Sequence, residues 1–381
     1  MSIVITGHVD HGKSTIVGRL LADTGSLPEG KLDQVRAHCA ATARPFEYAF
    51  LLDALKDEQA QGITIDAARI FFKTPARHYV ILDAPGHIEF LKNMITGAAH
   101  AEAALLVIDA LEGIRENSRR HGYMLAMLGV RQVAILVNKM DLVGYSEKTF
   151  GEITSAFGSF LKPLGITPMW FIPVAGRSGD NIASHSEAMP WYTGPTVLES
   201  LDTFTVDRSA SDRPFRMPVQ GVYKFTEDGD DRRIFAGGVL TGRASVGDEI
   251  VFYPSGKGSR IATIEEFNAE PMSSVEAGRG TGFTLQEQIY VPRGEIAALT
   301  GETPPEVTTR LRVSIFWLGR QPLVKRREYT LKLGTARVPV RLESIERVLN
   351  ASSLETLENP EQVGRNDVAE CVLKLGRAIA F

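Results

Sequence analysis

The apolar residues of this 381-residue chain fall into two textures. Up to about Leu201, short apolar runs alternate with stretches of helical period. The runs end at Val4 and Ile5 and cover Tyr79 to Leu82, Ala103 to Ile108 and Val133 to Val137. The helical stretches run from Ser14 to Leu21, Asn117 to Leu128 and Lys148 to Leu161. This alternation predicts an α/β domain with a doubly wound, mostly parallel sheet. Thr203 to Pro214 is polar and without period, so it reads as a linker. From Phe215 onward, short runs are punctuated by Asp228-Gly229, Gly237-Gly238, Gly247-Asp248 and Gly256-Lys257-Gly258, which predicts a small antiparallel β-barrel. A break at Thr300 to Pro305 precedes a second strand-rich block with runs at Leu311 to Phe316, Tyr329 to Leu333, Val338 to Leu342 and Val368 to Leu373. The expected domains are residues 1–205, 206–300 and 301–381.

The candidate chemistry sits where apolar strands end. After Ile5 comes GHVDHGKST, from Gly7 to Thr15, a Walker A match in Gly7, Gly12, Lys13 and Ser14. Backbone N–H groups of Val9, Asp10, His11, Gly12 and Lys13, with those of Ser14 and Thr15 at a helix N-terminus, converge where phosphates would sit. Lys13 supplies charge to the β- and γ-phosphates, and the Ser14 hydroxyl is a ligand for Mg²⁺. After Leu82 comes DAPGH, from Asp83 to His87. Asp83, at the C-terminal end of its strand, is placed to hold a Mg²⁺-bound water, the Gly86 N–H to sense the γ-phosphate, and His87 to position an attacking water. After Val137 comes NKMD, from Asn138 to Asp141. The Asp141 carboxylate can accept two hydrogen bonds from guanine, a pattern adenine does not offer. Asn138 would tie this loop to the phosphate loop, and the Lys139 stem would cover the base. The three motifs in this order define a GTPase, with GTP and GDP as substrate and product and Mg²⁺ as cofactor.

On these motifs the chain resembles the translation-factor class of GTPases. The resemblance implies one G domain followed by two barrels, and it adds two site elements. GIT, Gly62 to Thr64, matches the first switch, which makes Thr64 a second hydroxyl ligand to Mg²⁺ in the GTP state and part of the catalytic set with Lys13 and His87. IPVAG, Ile172 to Gly176, followed by Gly179 to Asn181, matches the last nucleotide motif, in which the backbone at Ala175 and Gly176 reads guanine O6. The family commonly has Ser where Ala175 stands. In the family the last barrel continues past a segment like Gly376 to Phe381, so the third domain is expected to be incomplete.

Within the class, Phe46 to Ala68 (FEYAFLLDALKDEQAQGITIDAA), Met140 to Ile153 and Lys332 to Asn350 are most similar to the GTPase subunit of ATP sulfurylase. That resemblance implies a separate adenylyltransferase catalytic subunit as partner, and an adenylylsulfate kinase domain fused to longer members. The GHVDHGKST spelling, with His8 and His11, instead resembles the elongation factors, for which the partner would be aminoacyl-tRNA or the ribosome. A divergent regulatory paralogue is the third alternative.

Composition sets outer limits. With 44% hydrophobic and 23% charged residues, the chain has the balance of a globular protein large enough for two or three cores. A net charge of −4 gives no broad footprint for nucleic acid. No apolar run reaches the roughly 18 residues that span a bilayer, and the expected compartment is the cytoplasm. Cys39 and Cys371 fall in different expected domains and read as reduced thiols. Trp170, Trp191 and Trp317 read as packing aromatics, and Lys325 to Arg327 as a solvated turn. Phe46, Tyr48 and Phe50, ahead of a helical run from Leu51 to Gln59, suit either local burial or anchoring of the first switch.

Overall fold

The computed structural model describes residues 1–8, 10–41, 46–48, 50–51, 68–83, 101–205, 208–224, 232–266, 272–349, 356–358, 360–365 and 367–381. The chain divides into two compact units, Met1–Val206 and Asp207–Phe381.

The first unit is built on six strands: β1 (Ser2–Gly7), β2 (Ala68–Lys73), β3 (His78–Asp83), β4 (Ala103–Asp109), β5 (Gln132–Asn138) and β6 (Trp170–Pro173). They form one sheet in the order β2-β3-β1-β4-β5-β6. All neighbours are parallel except the edge strand β2, which runs antiparallel to β3. Every residue of β4 is buried. Uninterrupted apolar runs are what a central parallel strand needs, because helices cover both faces.

The helices of this unit are α1 (Lys13–Asp23), α2 (Lys31–Ala41), α3 (Glu116–Met127), α4 (Glu147–Leu161) and α5 (Val197–Thr203). Ile16, Val17, Leu20 and Leu21 of α1 repeat at helical spacing and pack with Ile3, Ile5, Leu105 and Val107 in one core. Full burial of side chains of this size stabilises by roughly 1.5–3 kcal/mol each. The first turns of α4 and α5 are capped by side chains: Ser146 accepts from the Thr149 N–H, and Thr196 and Glu199 form a capping box. Helix α1 has no side-chain cap, and its N-cap is Gly12. Its first N–H groups therefore stay available for an anion.

The second unit is all β. Its strands are β7 (Met217–Lys224), β8 (Arg233–Gly238), β9 (Arg243–Ser245), β10 (Glu249–Tyr253), β11 (Lys257–Glu265), β12 (Ser274–Glu276), β13 (Gly280–Leu285) and β14 (Ile296–Leu299), followed by β15 (Val307–Phe316), β16 (Leu323–Val324), β17 (Glu328–Leu333), β18 (Ala336–Leu349), β19 (Thr356–Glu358), β20 (Gln362–Val363) and β21 (Val368–Ala380). Strands β10-β11-β13-β8-β7-β14 close into a barrel around Phe235, Phe252 and Phe283. The C-terminal block is an open sheet among the described residues, in the order β15-β21-β18-β17 with β19 beside β18.

The segment ending at Phe381 is held by β15. β21 pairs with β15 from Val368 to Ala380 and with β18 from Val368 to Leu375, and Phe381 and Glu306 exchange backbone hydrogen bonds. Among the described residues β15, β17 and β19 each pair with one neighbour in this sheet. Strand β18 is longer than the run from Val338 to Leu342 suggested. Its alternation is interrupted by register shifts after Leu342 and Ile345, and such bulges hide a long strand from a period-two reading.

Candidate nucleotide site

The connection from Gly7 to Gly12 leads from the C-terminal end of β1 into α1. Asp10 and Gly12 both take left-handed backbone angles, φ 64° and 89°. At Gly12 there is a second constraint, since a Cβ there would sit 2.3 Å from Asn138 Nδ2. Any side chain at this position would collide with the motif at the end of β5. The Lys13 ammonium turns back over the loop, donating to Gly7 O at 2.9 Å and His8 O at 2.7 Å. Burial lowers its pKa to about 8, against the pull of Asp83 and Asp10, which favour the charged form. Ser14 and Thr15, in the first turn of α1, are each partly exposed.

At His11 the side chain turns into the protein interior, which leaves only its backbone for the loop. Its side chain is fully buried, donating from Nδ1 to Val107 O at 3.1 Å, with Nε2 3.6 Å from Glu112. Burial holds its pKa below the ordinary value. Only the His11 backbone faces the motif of β5, and its carbonyl accepts from Asn138 Nδ2 at 2.8 Å.

Asn138 bonds two loops at once. Besides the His11 carbonyl, its Oδ1 accepts from the Gly176 N–H at 3.0 Å. The Ala175 N–H donates to Asp180 O at 3.3 Å. Both amides of the last motif are thus engaged within the protein, and a base oxygen would have to share them. Lys139 has a left-handed φ of 61°, and its ammonium lies 2.6 Å from Asp109 Oδ2. Asp141, in a single 3₁₀ turn that opens after Lys139, presents an exposed carboxylate.

Asp109 escaped the sequence reading. It sits at the end of β4, almost fully buried, and also accepts from the N–H groups of Leu111 and Glu112. Burial pushes its pKa up, but the Lys139 bond and the two N–H donors outweigh it, so the carboxyl lies below its ordinary range. The available signal was positional, an acidic residue ending a buried parallel strand. His121 was missed as well. It lies on the buried side of α3 within electrostatic reach of Lys13, and burial drives its pKa down to about 3, so the imidazole is neutral at working pH.

Asp83 ends β3 in register with Ile5 of β1 and is buried. Among the described residues no three His, Cys, Asp or Glu side chains gather as a metal cage. A strand-end carboxylate within electrostatic reach of Lys13, with a Ser hydroxyl next in sequence to that lysine, is a sparse donor set. Such a set suits Mg²⁺, which keeps much of its water and binds substrate phosphates. Val9, Thr64, Gly86 and His87 lie outside the described residues.

Trp170, Trp191 and Trp317 each donate through the indole N–H to a nearby oxygen of the fold, Thr203 Oγ1, Tyr145 O and Gln321 O. Lys325 to Arg327 form a turn after β16. Cys39 and Cys371 are both buried, and no disulfide joins them. No helix among the described residues is long and apolar enough to cross a membrane.

A parallel sheet with a Gly-hinged loop at the N-terminus of α1, a buried lysine on that loop and an Asn bridge to a second strand-end motif define a P-loop nucleotide-binding domain. Residues 1–210 match the family described as "Elongation factor Tu GTP binding domain", and residues 310–381 match "GTP-eEF1A C-terminal domain-like". The chain belongs to the elongation factor Tu GTP-binding family and is a GTPase of the translation-factor class.

Its relatives carry different names. It is 36% identical to elongation factor 1-alpha of Thermoplasma acidophilum over 97% of this chain and 88% of that protein. Identity is 35% to sulfate adenylyltransferase subunit 1 of Chromobacterium violaceum, over 100% of this chain and 80% of that protein. It is also 35% to the bifunctional enzyme NodQ of Rhizobium sp. (strain N33), over 98% of this chain and 58% of that protein, so this chain spans little more than half of that relative.

Proposed function

We propose that this GTPase works as the regulatory subunit of an ATP sulfurylase, coupling GTP hydrolysis to formation of adenosine 5'-phosphosulfate on a separate adenylyltransferase subunit in the cytoplasm. The site reading rests on one observation, the Asn138 side chain bonded to both the phosphate loop and the 175–181 loop. Lys13 meets the β- and γ-phosphates, and the N–H groups of the loop and of α1 cradle them. Asp141 accepts from guanine, and Lys139, held by Asp109, lies along the base. Ser14, Thr64 and, through water, Asp83 would hold Mg²⁺, which when bound neutralises phosphate charge. His87 positions the attacking water, and Gly86 senses the γ-phosphate.

The sulfurylase role is supported by the segment from Phe46 to Ala68 and by relatives named sulfate adenylyltransferase subunit 1. A fused adenylylsulfate kinase belongs to the same reading. The alternative, a carrier of aminoacyl-tRNA or a ribosome-bound factor, is favoured by the GHVDHGKST spelling and by relatives named elongation factor 1-alpha.

Asp141→Asn tests the site. It should cost roughly 1–3 kcal/mol in GTP affinity and turn preference toward xanthine nucleotides, which carry a carbonyl where guanine has its amine. Competition binding with GTP and XTP reads the outcome. A mutant that keeps the wild-type preference for GTP would overturn the assignment of Asp141.

A further inference from the structure

Arg19 stands one and a half turns along α1 from Ser14, outside every nucleotide motif, yet it touches three separate parts of the first unit. Within α1, its Nε donates to both Asp23 carboxylate oxygens at 3.0 and 2.8 Å. Toward the 175–181 loop, Nη1 donates to Ser178 O at 3.1 Å. There the guanidinium fills the space a side chain on Gly179 would need, since a Cβ would lie 2.5 Å from both Cζ and Nη2, and Gly179 has φ 93°. Toward the segment preceding the first switch, the Arg19 Cζ lies 4.9 Å from the centre of the Tyr48 ring.

The Tyr48 contact is part of a continuous anchor. The Tyr48 backbone lies against α1 so closely that a Cβ on Gly18 would meet its carbonyl oxygen at 2.1 Å. Its ring packs edge-on against Phe46 at 5.0 Å, and Phe46 in turn lies under Arg36 of α2 at 5.4 Å. Beneath them is a small separate core of Val35, Cys39 and Leu51. The 175–181 loop is equally tied to the site, through Asn138 and through the approach of Gly176 to Thr15 and Ile16.

We propose that Arg19 is a positioning residue that couples the guanine-side loop to the anchor of the first switch. Movement of the 175–181 loop shifts Ser178 and Gly179 against the guanidinium, and Tyr48 rides on the same planar group. An ammonium at this position could keep the Asp23 pair but lacks the flat fork that meets a carbonyl, a glycine and a ring together. The proposal rests on the nucleotide site above and adds a link between its base end and its switch end.

The test measures release of GDP carrying a methylanthraniloyl fluorophore from the full chain. Arg19→Ala and Tyr48→Leu should each speed release by about fivefold or more, the lower end of typical coupling. The double variant should be no faster than the single ones, because each breaks the same link. Tyr48→Phe, which keeps the ring, should match wild type. Arg19→Lys should behave like Arg19→Ala. Wild-type release in Arg19→Lys would assign the residue to its Asp23 pair alone and overturn the proposal, and so would additive effects of Arg19→Ala and Tyr48→Leu. If Arg19→Ala does not fold, Arg19→Lys against Tyr48→Leu decides alone. Failure of the wild type to bind the labelled GDP would instead remove the nucleotide-site reading on which the proposal depends.

Discussion

At the level of single residues, the site depends on charge held under partial burial. Lys13 has its pKa lowered to about 8 mainly by desolvation, while the unfolded chain titrates near 10.4. The unfolded state therefore binds more protons between these values, and the Lys13 contribution to stability rises with pH through that window. Nucleotide phosphates act in the opposite direction by favouring the ammonium. GTP affinity should fall as pH rises through about 8, with proton uptake on binding above that pH. Calorimetric titration in two buffers of different ionisation enthalpy measures the uptake, and binding without proton exchange at pH 8.5 would contradict the role given to Lys13. The strand-end positions of Asp83 and Asn138, with Lys13 opening α1, were legible from motif spacing. Asp109 was not, because its importance comes from a partner 30 positions later, Lys139, that only the parallel register of β4 and β5 brings near. A motif gives a backbone path and does not say which side chains turn inward, as that of His11 does.

Among the elements, the loops after β1 and β5 and the 175–181 loop are held as one by Asn138. Asn138→Ala would leave the His11 carbonyl and the Gly176 N–H without this partner in a buried place. A cost of about 1–3 kcal/mol in unfolding free energy follows from the desolvation of such groups, and urea denaturation with unchanged m measures it. A loss below about 0.5 kcal/mol would mean that the bridge does not hold the loops. Four of the six strands of the first unit, β1 and β3 to β5, could be read from sequence to within a residue or two, because their centres are apolar runs, whereas β2 and β6 were not read as strands. The C-terminal sheet was harder. Val368 to Leu373 marked only the start of β21, which continues to Ala380 with Lys374, Gly376 and Arg377 exposed and Leu375 buried in the core.

For the molecule as a whole, the two compact units carry separate cores, and the nucleotide site lies wholly in Met1–Val206. GDP at 100 times its Kd should stabilise that unit by about 2.7 kcal/mol and leave the other unchanged. Scanning calorimetry should therefore show one transition moving with GDP while another stays, and an equal shift of all unfolding would contradict independent units. The domain class was legible from the change of texture near Leu201. The role of the GTPase was not, since 35–36% identity joins the chain to proteins of several names. The most direct measurement is GTP turnover by this chain with an adenylyltransferase subunit, ATP and sulfate, set beside turnover with aminoacyl-tRNA and ribosomes. The sulfurylase role predicts stimulation only when the adenylyltransferase subunit and both of its substrates are present. Stimulation by aminoacyl-tRNA or ribosomes, with none from the adenylyltransferase mixture, would contradict it.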